Sequence, residues 1–357
     1  MLNILNDNIF IIRVDASESI GLGHLIRCLL IANFIKGKGC DVVFFTAQSL
    51  SKNIIESKGF KCHRIGNAIP NLIEFYNCFS VIADINSGAI FNNNVDYFNY
   101  LNYIGRNAKL LVTLEDLTDY PYCSDVVIIP YCGADKLKLK NDCKTRYLMG
   151  PIYFPLRKEF NNDSFVVSKN ATKILITMGG SDPEKITLKV LSSINKLDEF
   201  YDITVVLGKA SDISDKDIKD VMNNYKGSHT VLCDVNNISK LMLECDVAIT
   251  NSGLTKYELS ALGVPSIIIS SNKQQALYSD EFSSYGSSVH LGSAGVVSDK
   301  YISESCEGLM QDYKLRLNMS EKGKKLVDSS GLDRIWEAVS NYNYNNKDDG
   351  YAKDRVE

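Results

Sequence analysis

The stretch NIFIIRVDASESIGLGHLIRCLLIANFI, residues 8–35, contains a short apolar run, a turn with two glycines and a long helical pattern. The run at 8–14 is rich in isoleucine and has the length of a buried strand. The apolar residues from 22 to 38 recur at helical spacing and predict an amphipathic helix. A strand, a glycine turn and a helix in this order predict an α/β fold with a parallel sheet.

The same alternation continues along the first half of the chain. Further strands are predicted at 41–46, 60–64, 79–84, 109–114 and 125–129, and further helices at 49–58, 70–77 and 94–106. Nearly continuous apolar strands joined by helices are typical of a parallel sheet that is covered on both faces. The first half is therefore predicted to form a doubly wound, Rossmann-like domain.

The segment LMGPIYFPLRKEFNNDSF, residues 148–165, interrupts this rhythm with two prolines and a polar cluster, and it predicts a linker. The alternation then restarts, with strands predicted at 173–178, 203–207, 229–232, 246–250 and 266–270. We therefore predict two doubly wound domains that face a cleft, with ligands at the carboxyl ends of the strands. The predicted bounds are 1–155 and 156–340, with the last helix, at about 316–340, able to pack back on the first domain, and a disordered polar tail at 341–357.

Composition excludes several classes of protein. The 357 residues carry a formal net charge of −4, so the chain lacks the overall basic field of a nucleic-acid-binding protein. No run of 18 apolar residues predicts a transmembrane helix, and charged residues within the first apolar run argue against a signal peptide. The ten cysteines include no CxxC pair, which favours a reducing, cytoplasmic location.

The turn at Gly21 and Gly23 places His24 in the first turn of the predicted helix, with Arg27 on the same helical face. Ile26 occupies the position where a dinucleotide fingerprint needs its third glycine, so NAD and FAD are not expected. The helix N-terminus disfavours an imidazolium, and a neutral imidazole can accept a proton. The spacing alone leaves two interpretations of His24 open, a general base and a structural hydrogen-bonding residue.

Two junctions of the same kind occur in the second domain. In the first of them, Gly179 and Gly180 follow a strand, and Ser181 with Glu184 has the spacing of a capping box. In the second, Asn251, Ser252 and Gly253 precede a short helix at 254–262 that Gly263 ends.

The start of the 254–262 helix is suited to a diphosphate, because its backbone N–H groups and dipole attract anions. Glu258, about one turn into the helix, is a candidate ligand of the ribose hydroxyls or, alternatively, an exposed helix charge. The chain has no metal-site motif, and its one DxD sequence, at 215–217, lies in a charged helical stretch. We expect neither a metal ion nor a cofactor.

Several segments together resemble the UDP-sugar hydrolases of the pseudaminic-acid pathway, which are related to glycosyltransferases of the GT-B fold. The matching segments are RVDASESIGLGHLIRCLLIA, LMGPIYFPLRKEF, MGGSDPEKITLKVL, ITNSGLTKYELSALGVPSIII and SNKQQ, which together span about residues 10–290. The resemblance implies a GT-B-type fold, a catalytic role for His24, and hydrolysis of a UDP-linked amino sugar with inversion. It also implies a metal-independent reaction.

The resemblance further implies two sets of ligand-binding residues. The sugar-binding set is Gly21, Gly23, Arg27, Asp84, Asn86, Tyr153 and Arg157. The UDP-binding set is Gly179, Gly180, Ser181, Asn251, Ser252, Gly253, Glu258, Asn272, Gln274 and Gln275.

Two departures from the family pattern concern the sugar side. IADINSG, residues 82–88, has Asn86 where the family has a tyrosine, and Glu115-Asp116 replaces paired aspartates. These departures leave the identity of the sugar open. The alternative function is that of an inverting glycosyltransferase of the same fold, in which an acceptor hydroxyl replaces water.

Overall fold

The computed structural model describes residues 9–16, 22–65, 80–85, 94–114, 124–138 and 145–342. The chain divides into two compact units, one formed by Met1–Pro155 with Ser330–Glu357 and the other by Leu156–Ser329. Each unit is built around one sheet. The helix predicted at 70–77 and the part of the predicted tail from 343 onward lie outside the described residues.

The first unit contains a seven-stranded sheet. Its strands are β1 (Ile9–Val14), β2 (Asp41–Thr46), β3 (Lys61–Arg64), β4 (Ser80–Asp84), β5 (Leu110–Leu114), β6 (Val126–Ile129) and β7 (Arg146–Met149), in the order β3-β2-β1-β4-β5-β6-β7. All paired strands are parallel. Helices α1 (Gly23–Gly37), α2 (Ser49–Ser57) and α3 (Asn94–Asn107) connect them.

The strands of this sheet are buried on both faces, as β1 illustrates. Phe10 and Ile12 belong to one apolar cluster, which includes Leu25 of α1. Ile11 belongs to a second cluster, which includes Leu101 of α3. Because successive side chains of a strand point to opposite faces, a strand covered by helices on both sides must be apolar throughout.

The second unit contains a six-stranded parallel sheet. Its strands are β8 (Lys173–Thr177), β9 (Asp202–Leu207), β10 (His229–Cys233), β11 (Val247–Thr250), β12 (Ser266–Ser270) and β13 (Ser288–Ser293), in the order β10-β9-β8-β11-β12-β13. Its helices are α4 (Ile186–Ile194), α5 (Asp215–Met222), α6 (Ile238–Glu244), α7 (Thr255–Leu262), α8 (Lys273–Ser284), α9 (Asp299–Gln311) and α10 (Tyr313–Leu326).

The prediction of one helix at about 316–340 is wrong. Helix α10 ends at Leu326, Val327 is extended, and a separate helix, α11 (Gly331–Ser340), follows. Gly331 packs so closely on the backbone of Phe154 that a Cβ at this position would collide with it. Ile335 and Val339 of α11 are part of the apolar core of the first unit. Helix α11 therefore packs on the first unit, although it follows the second unit in sequence.

The sequence patterns did not predict β7 and β13, which are both edge strands. Their sequences, RYLM and SVHLGS, mix polar and apolar residues, and both strands are only partly buried. An edge strand needs no continuous apolar run, because one of its sides has no neighbouring strand to cover it.

Both sheets have a point at which the strand order reverses. In the first sheet the reversal lies between β1 and β4, and in the second it lies between β8 and β11. In doubly wound sheets generally, a crevice forms at such a point, at the carboxyl ends of the two strands. This position is where doubly wound sheets bind ligands.

Candidate functional site

The reversal point of the first sheet brings His24 against Asp84. Helix α1 begins at Gly23, and Asp84 is the last residue of β4, where it pairs with Val14 of β1. The carboxyl ends of β1 and β4 are therefore adjacent. The His24 Nδ1 atom lies 2.6 Å from Oδ1 of Asp84.

Arg27 holds the same carboxylate with two hydrogen bonds. Its Nε donates to Oδ2 of Asp84, and its second terminal nitrogen donates to Oδ1 at 2.6 Å. Its first terminal nitrogen donates to the hydroxyl of Tyr131, whose ring centre lies 5.8 Å from the guanidinium carbon. Asp84 and Arg27 are both buried. A bidentate arginine–carboxylate pair fixes orientation as well as charge.

The environment keeps Asp84 ionised. Burial raises the pKa of this carboxyl, but the charges and hydrogen bonds of Arg27 and His24 outweigh burial and hold the pKa below its ordinary value. The Sγ atom of Cys28 lies 3.5 Å from Oδ2. Burial and the Asp84 charge raise the pKa of the Cys28 thiol well above its ordinary value, so Cys28 stays protonated beside the carboxylate.

The ionised carboxylate determines the tautomer of His24. A terminal nitrogen of Arg27 also lies 3.0 Å from Nδ1, but an unprotonated Nδ1 at 2.6 Å from Oδ1 would place two lone pairs against each other. We therefore assign a hydrogen to Nδ1, which donates it to Asp84. In a neutral imidazole the lone pair then lies on Nε2. The His24 side chain keeps 15% of its surface exposed. This arrangement can accept a proton at Nε2, with a carboxylate behind the ring to stabilise the resulting imidazolium.

The remaining residues of the predicted sugar-binding set are placed differently. Gly21 and Asn86 lie outside the described residues, as does the Glu115-Asp116 pair, which is not part of that set. Tyr153 ends a short 3₁₀ turn and packs against the core of the first unit. Arg157 belongs to the second unit, where its guanidinium contacts Glu159, Glu258 and the ring of Phe160.

The reversal point of the second sheet brings the two glycine turns together. Gly179 has a φ of 77°, which a glycine adopts without strain. Asn251 joins the two turns, because its Nδ2 donates to the carbonyl of Met178 while its Oδ1 accepts from the N–H of Gly253 at 3.0 Å. A Cβ at Gly208, directly after β9, would collide with the carbonyl oxygens of Gly179 and Gly180. The turn thus requires a glycine at 208 as well.

The predicted capping box of Ser181 and Glu184 is wrong. Helix α4 begins at Ile186, and its start is capped by Asp182, whose two carboxylate oxygens each accept a backbone N–H at 2.8 Å, from Ile186 and Thr187. An aspartate is as good a cap as a serine, and its charge interacts favourably with the positive end of the helix dipole. Asp182 is buried, whereas Ser181 is exposed.

Helix α7 confirms the helix predicted at 254–262, and it ends at Gly263, which has a φ of 78°. Glu258 accepts a hydrogen bond from Arg157 at 3.1 Å. Burial raises the pKa of Glu258 above its ordinary value, and the Arg157 charge only partly offsets this effect. The candidate ribose ligand is thus already paired with a candidate sugar ligand.

The predicted Asn-Gln segment lies at the start of α8, after β12. The Oδ1 of Asn272 accepts from the N–H of Gln275 at 2.9 Å, and the Oε1 of Gln275 accepts from the N–H of Ser271 at 3.3 Å. These side chains cap the helix, and Gln274 is exposed beside them. The segment follows the strand next to β11, at the same edge of the sheet.

Three functional candidates were missed from the sequence: Tyr131, Asp182 and Gly208. Tyr131 lies two residues after β6, and the run VVIIPYCG contains the available signal, a tyrosine just beyond the carboxyl end of a buried strand. Gly208 likewise follows β9 directly. Asp182 lay beside the serine that the capping-box pattern favoured.

The described ranges contain neither a cluster of metal-ligating side chains nor a membrane-spanning helix. No group of three or more histidines, cysteines, aspartates or glutamates there is arranged to hold a metal ion. No helix in the same ranges is both long and apolar enough to cross a membrane.

No protein-family model matches the sequence. The chain is 25% identical over 339 residues to the spore coat polysaccharide biosynthesis protein SpsG of Bacillus subtilis, covering 90% of this chain and 94% of SpsG. It is 28% identical over 294 residues to the uncharacterized protein MJ1062 of Methanocaldococcus jannaschii, of which the match covers 58%.

A third relative is the Helicobacter pylori protein named pseudaminic acid cytidylyltransferase and UDP-2,4-diacetamido-2,4,6-trideoxy-beta-L-altropyranose hydrolase. The chain is 26% identical to it over 280 residues, which are 76% of this chain and 46% of that protein. The matches thus span about half of the archaeal and Helicobacter proteins and nearly all of SpsG.

Solved structures show the same fold at low sequence identity. MurG from Acinetobacter baumannii is similar with a TM-score of 0.69 at 12% identity, covering 94% of this chain and 99% of MurG. The UDP-GlcNAc 2-epimerase of Neisseria meningitidis, bound to UDP-GlcNAc, is similar with a TM-score of 0.60 at 13% identity, covering 94% and 99% of the two chains. The chain therefore has the two-domain, Rossmann-like α/β fold of the GT-B type, as its sequence predicts.

Proposed function

We propose that this protein hydrolyses a UDP-linked deoxy amino sugar at the anomeric C–O bond, releasing UDP and the free sugar without a metal ion. The observation that carries the proposal is the pair of His24 and Asp84, which directs the Nδ1 hydrogen to the carboxylate and makes Nε2 the basic nitrogen of a part-exposed imidazole. The name of the Helicobacter relative, which includes a UDP-sugar hydrolase, supports it. So does the resemblance of the segment around His24 to that family's opening motif.

The chemical step requires one base. His24 Nε2 takes a proton from water while the water oxygen attacks the anomeric carbon, and the C–O bond to the diphosphate breaks with its electron pair going to UDP. Attack opposite the leaving group inverts the anomeric centre. Asp84 stays ionised and stabilises the imidazolium, because Arg27 holds both of its oxygens.

UDP binding is assigned to the second unit. The turn at 251–253 and the start of α7 offer backbone N–H groups and a helix dipole to the diphosphate. The Gly179-Gly180 turn, tied to it through Asn251, supplies further backbone donors. Glu258 would accept hydrogen bonds from the ribose hydroxyls, and Ser181, Asn272, Gln274 and Gln275 complete the proposed set.

The product would enter the biosynthesis of a pseudaminic-type nonulosonic acid or of a surface glycan. The name of SpsG, a spore coat polysaccharide biosynthesis protein, supports the broader of these two assignments. A panel of UDP-linked diacetamido-trideoxy hexoses, incubated with the protein and no acceptor, tests the proposal. Proton NMR should show a free reducing sugar and UDP in equal amounts, with the inverted anomer formed first.

One observation favours the second candidate, an inverting glycosyltransferase. Leu22 and Ile26, on either side of His24 and one helical turn apart, keep 40% and 45% of their surface exposed. An apolar surface beside the base would suit an apolar acceptor. The NMR assay separates the two functions, since a transferase leaves every UDP-sugar intact until an acceptor is added.

A further inference from the structure

A chain of hydrogen bonds runs from the protein surface to Ser252, in the proposed diphosphate turn. Oδ1 of Asp280, on α8, lies 2.6 Å from Nδ1 of His290, on β13, and His290 Nε2 lies 2.8 Å from Oγ of Ser270. Ser270 Oγ in turn contacts Oγ of Ser252. Ser279 Oγ donates to Ser252 Oγ at 2.8 Å.

The order of groups is that of a Ser-His-Asp triad, but the burial pattern is not that of a nucleophile. Ser270 has no exposed surface, so its hydroxyl cannot reach a substrate carbon. The His290 side chain is 2% exposed, whereas the Asp280 side chain is 68% exposed. The series of hydrogen bonds therefore runs from the exposed Asp280, through the buried imidazole of His290, to the part-exposed Ser252.

The protonation of His290 sets the direction of every bond in this chain. With a neutral ring, Nδ1–H donates to Asp280 and Nε2 must accept from Ser270, so Ser270 accepts from Ser252. The single hydroxyl hydrogen of Ser252 is then used inside the protein. The Ser252 hydroxyl would then present only a lone pair to a phosphate oxygen and could not donate a hydrogen bond to it.

When the imidazole of His290 is charged, the hydrogen bonds from Nε2 to Ser252 run in the opposite direction. Nε2–H donates to Ser270, Ser270 donates to Ser252, and Ser252 accepts from both Ser270 and Ser279. A serine hydroxyl has one hydrogen and two acceptor sites, so the hydrogen of Ser252 is now available to an anion at the start of α7. The net change is one proton added at His290 Nε2, with no other covalent bond formed or broken.

We propose that His290 is a positioning residue that couples uptake of one proton to diphosphate binding, by turning the Ser252 hydroxyl toward the ligand. The inference rests on the proposed UDP site. A second feature of the same edge fits an anion there: Thr250, directly before the turn, has a fully buried Oγ1 without a hydrogen-bond partner in the described part of the chain.

The groups that face His290 favour this coupling. Strand β12, which pairs with β13, contributes no titratable side chain. Helix α8, packed on the other side, carries Lys273, Tyr278, Asp280 and Glu281, and of these Asp280 contacts the ring. Asp280 accepts the hydrogen of Nδ1 in both protonation states, and a bound diphosphate places negative charge at the far end of the hydrogen-bond chain.

Calorimetric titration with UDP at pH 8, in buffers that differ in ionisation enthalpy, measures the protons taken up on binding. The second ionisation of a phosphate monoester lies at about pH 6, so UDP itself contributes little at this pH. We expect uptake of up to about one proton per bound UDP, the stoichiometry of a single imidazole. UDP binding with no proton uptake overturns this inference alone, whereas absence of UDP binding overturns the proposed function and the inference with it.

Variants separate the relay from a general charge effect. Ser270→Ala keeps His290 but removes the acceptor of the Ser252 hydrogen, so this variant should bind UDP at least as tightly as the native protein and without proton uptake. His290→Asn removes Nε2 and should also bind UDP without proton uptake. Asp280→Asn, at a position whose side chain is 68% exposed, should reduce the uptake. The matched control is His229→Asn, an exposed histidine on β10 of the same unit, which should keep the full uptake. Undiminished uptake in Ser270→Ala would refute the relay.

Discussion

His24 and Asp84 are 60 residues apart in sequence, and Nδ1 of one lies 2.6 Å from Oδ1 of the other at the reversal point of a parallel sheet. The second oxygen of Asp84 accepts from Arg27, which is one helical turn after His24. Helix α1 therefore supplies both the base and the cation that keeps its carboxylate partner charged. This relationship underlies the first two predictions.

Asp84→Asn should lower kcat by about 100-fold to 10,000-fold, because a neutral amide no longer fixes the hydrogen on Nδ1. UDP affinity, measured by calorimetry, should remain within about twofold, since the UDP residues belong to the other unit. Asp41→Asn, at an exposed position at the start of β2, is the matched control and should keep full activity. A kcat equal to that of the control would remove Asp84 from the mechanism.

Tyr131→Phe should lower kcat by about threefold to tenfold, the effect of one lost hydrogen bond to a charged partner of the base. The ring remains beside the Arg27 guanidinium, so the free energy of unfolding should change little. Steady-state kinetics and urea unfolding of the same preparation check both statements. A large loss of stability with unchanged kcat would assign Tyr131 a purely structural role.

Gly208→Ala should destabilise the second unit by about 1–3 kcal/mol, because the new Cβ would strike two backbone carbonyls that have little room to move. Displacement of the Gly179-Gly180 turn should also weaken UDP binding. Gly295→Ala, where a Cβ meets no atom within 4 Å, is the control for lost backbone freedom. Equal unfolding midpoints for the two variants would contradict the predicted collision.

Because of Glu258, the free energy of unfolding should decrease as the pH rises above the ordinary pKa of a glutamate side chain. Its folded-state pKa is raised by burial, so the folded protein holds this proton at pH values where the unfolded chain has released it. Stability is therefore highest below the unfolded value and decreases as pH rises through the folded one. The free energy of unfolding, measured in urea from pH 4 to pH 7, should show this decrease in the native protein and less of it in Glu258→Gln.

Local patterns were sufficient to predict the βα junctions of both sheets, since strand, glycine turn and helix each leave a signal within about 30 residues. The contact between His24 and Asp84 left no such signal, because it depends on which strands are neighbours. Asp84 was singled out as a sugar ligand, and its burial under Arg27 follows only from the strand order.

Capping and edge strands were predictable only in part. Ser181 and Glu184 matched the spacing of a capping box, but Asp182 offers a charged acceptor at the same place and lies against the actual start of α4.

The ring of His290 is hydrogen-bonded to Asp280 and Ser270, which come from different elements. The strand pattern around His290 gives no information on either partner.

The assignment of His24 as the base is tested by the kcat of His24→Asn, measured with a UDP-sugar that the native protein hydrolyses. The substitution keeps a hydrogen-bonding side chain near Asp84 but removes the Nε2 base. We expect kcat to fall by about 100-fold or more, the scale of a positioned acid–base group, with UDP affinity unchanged. Full kcat in His24→Asn would contradict the assignment of His24 as the base.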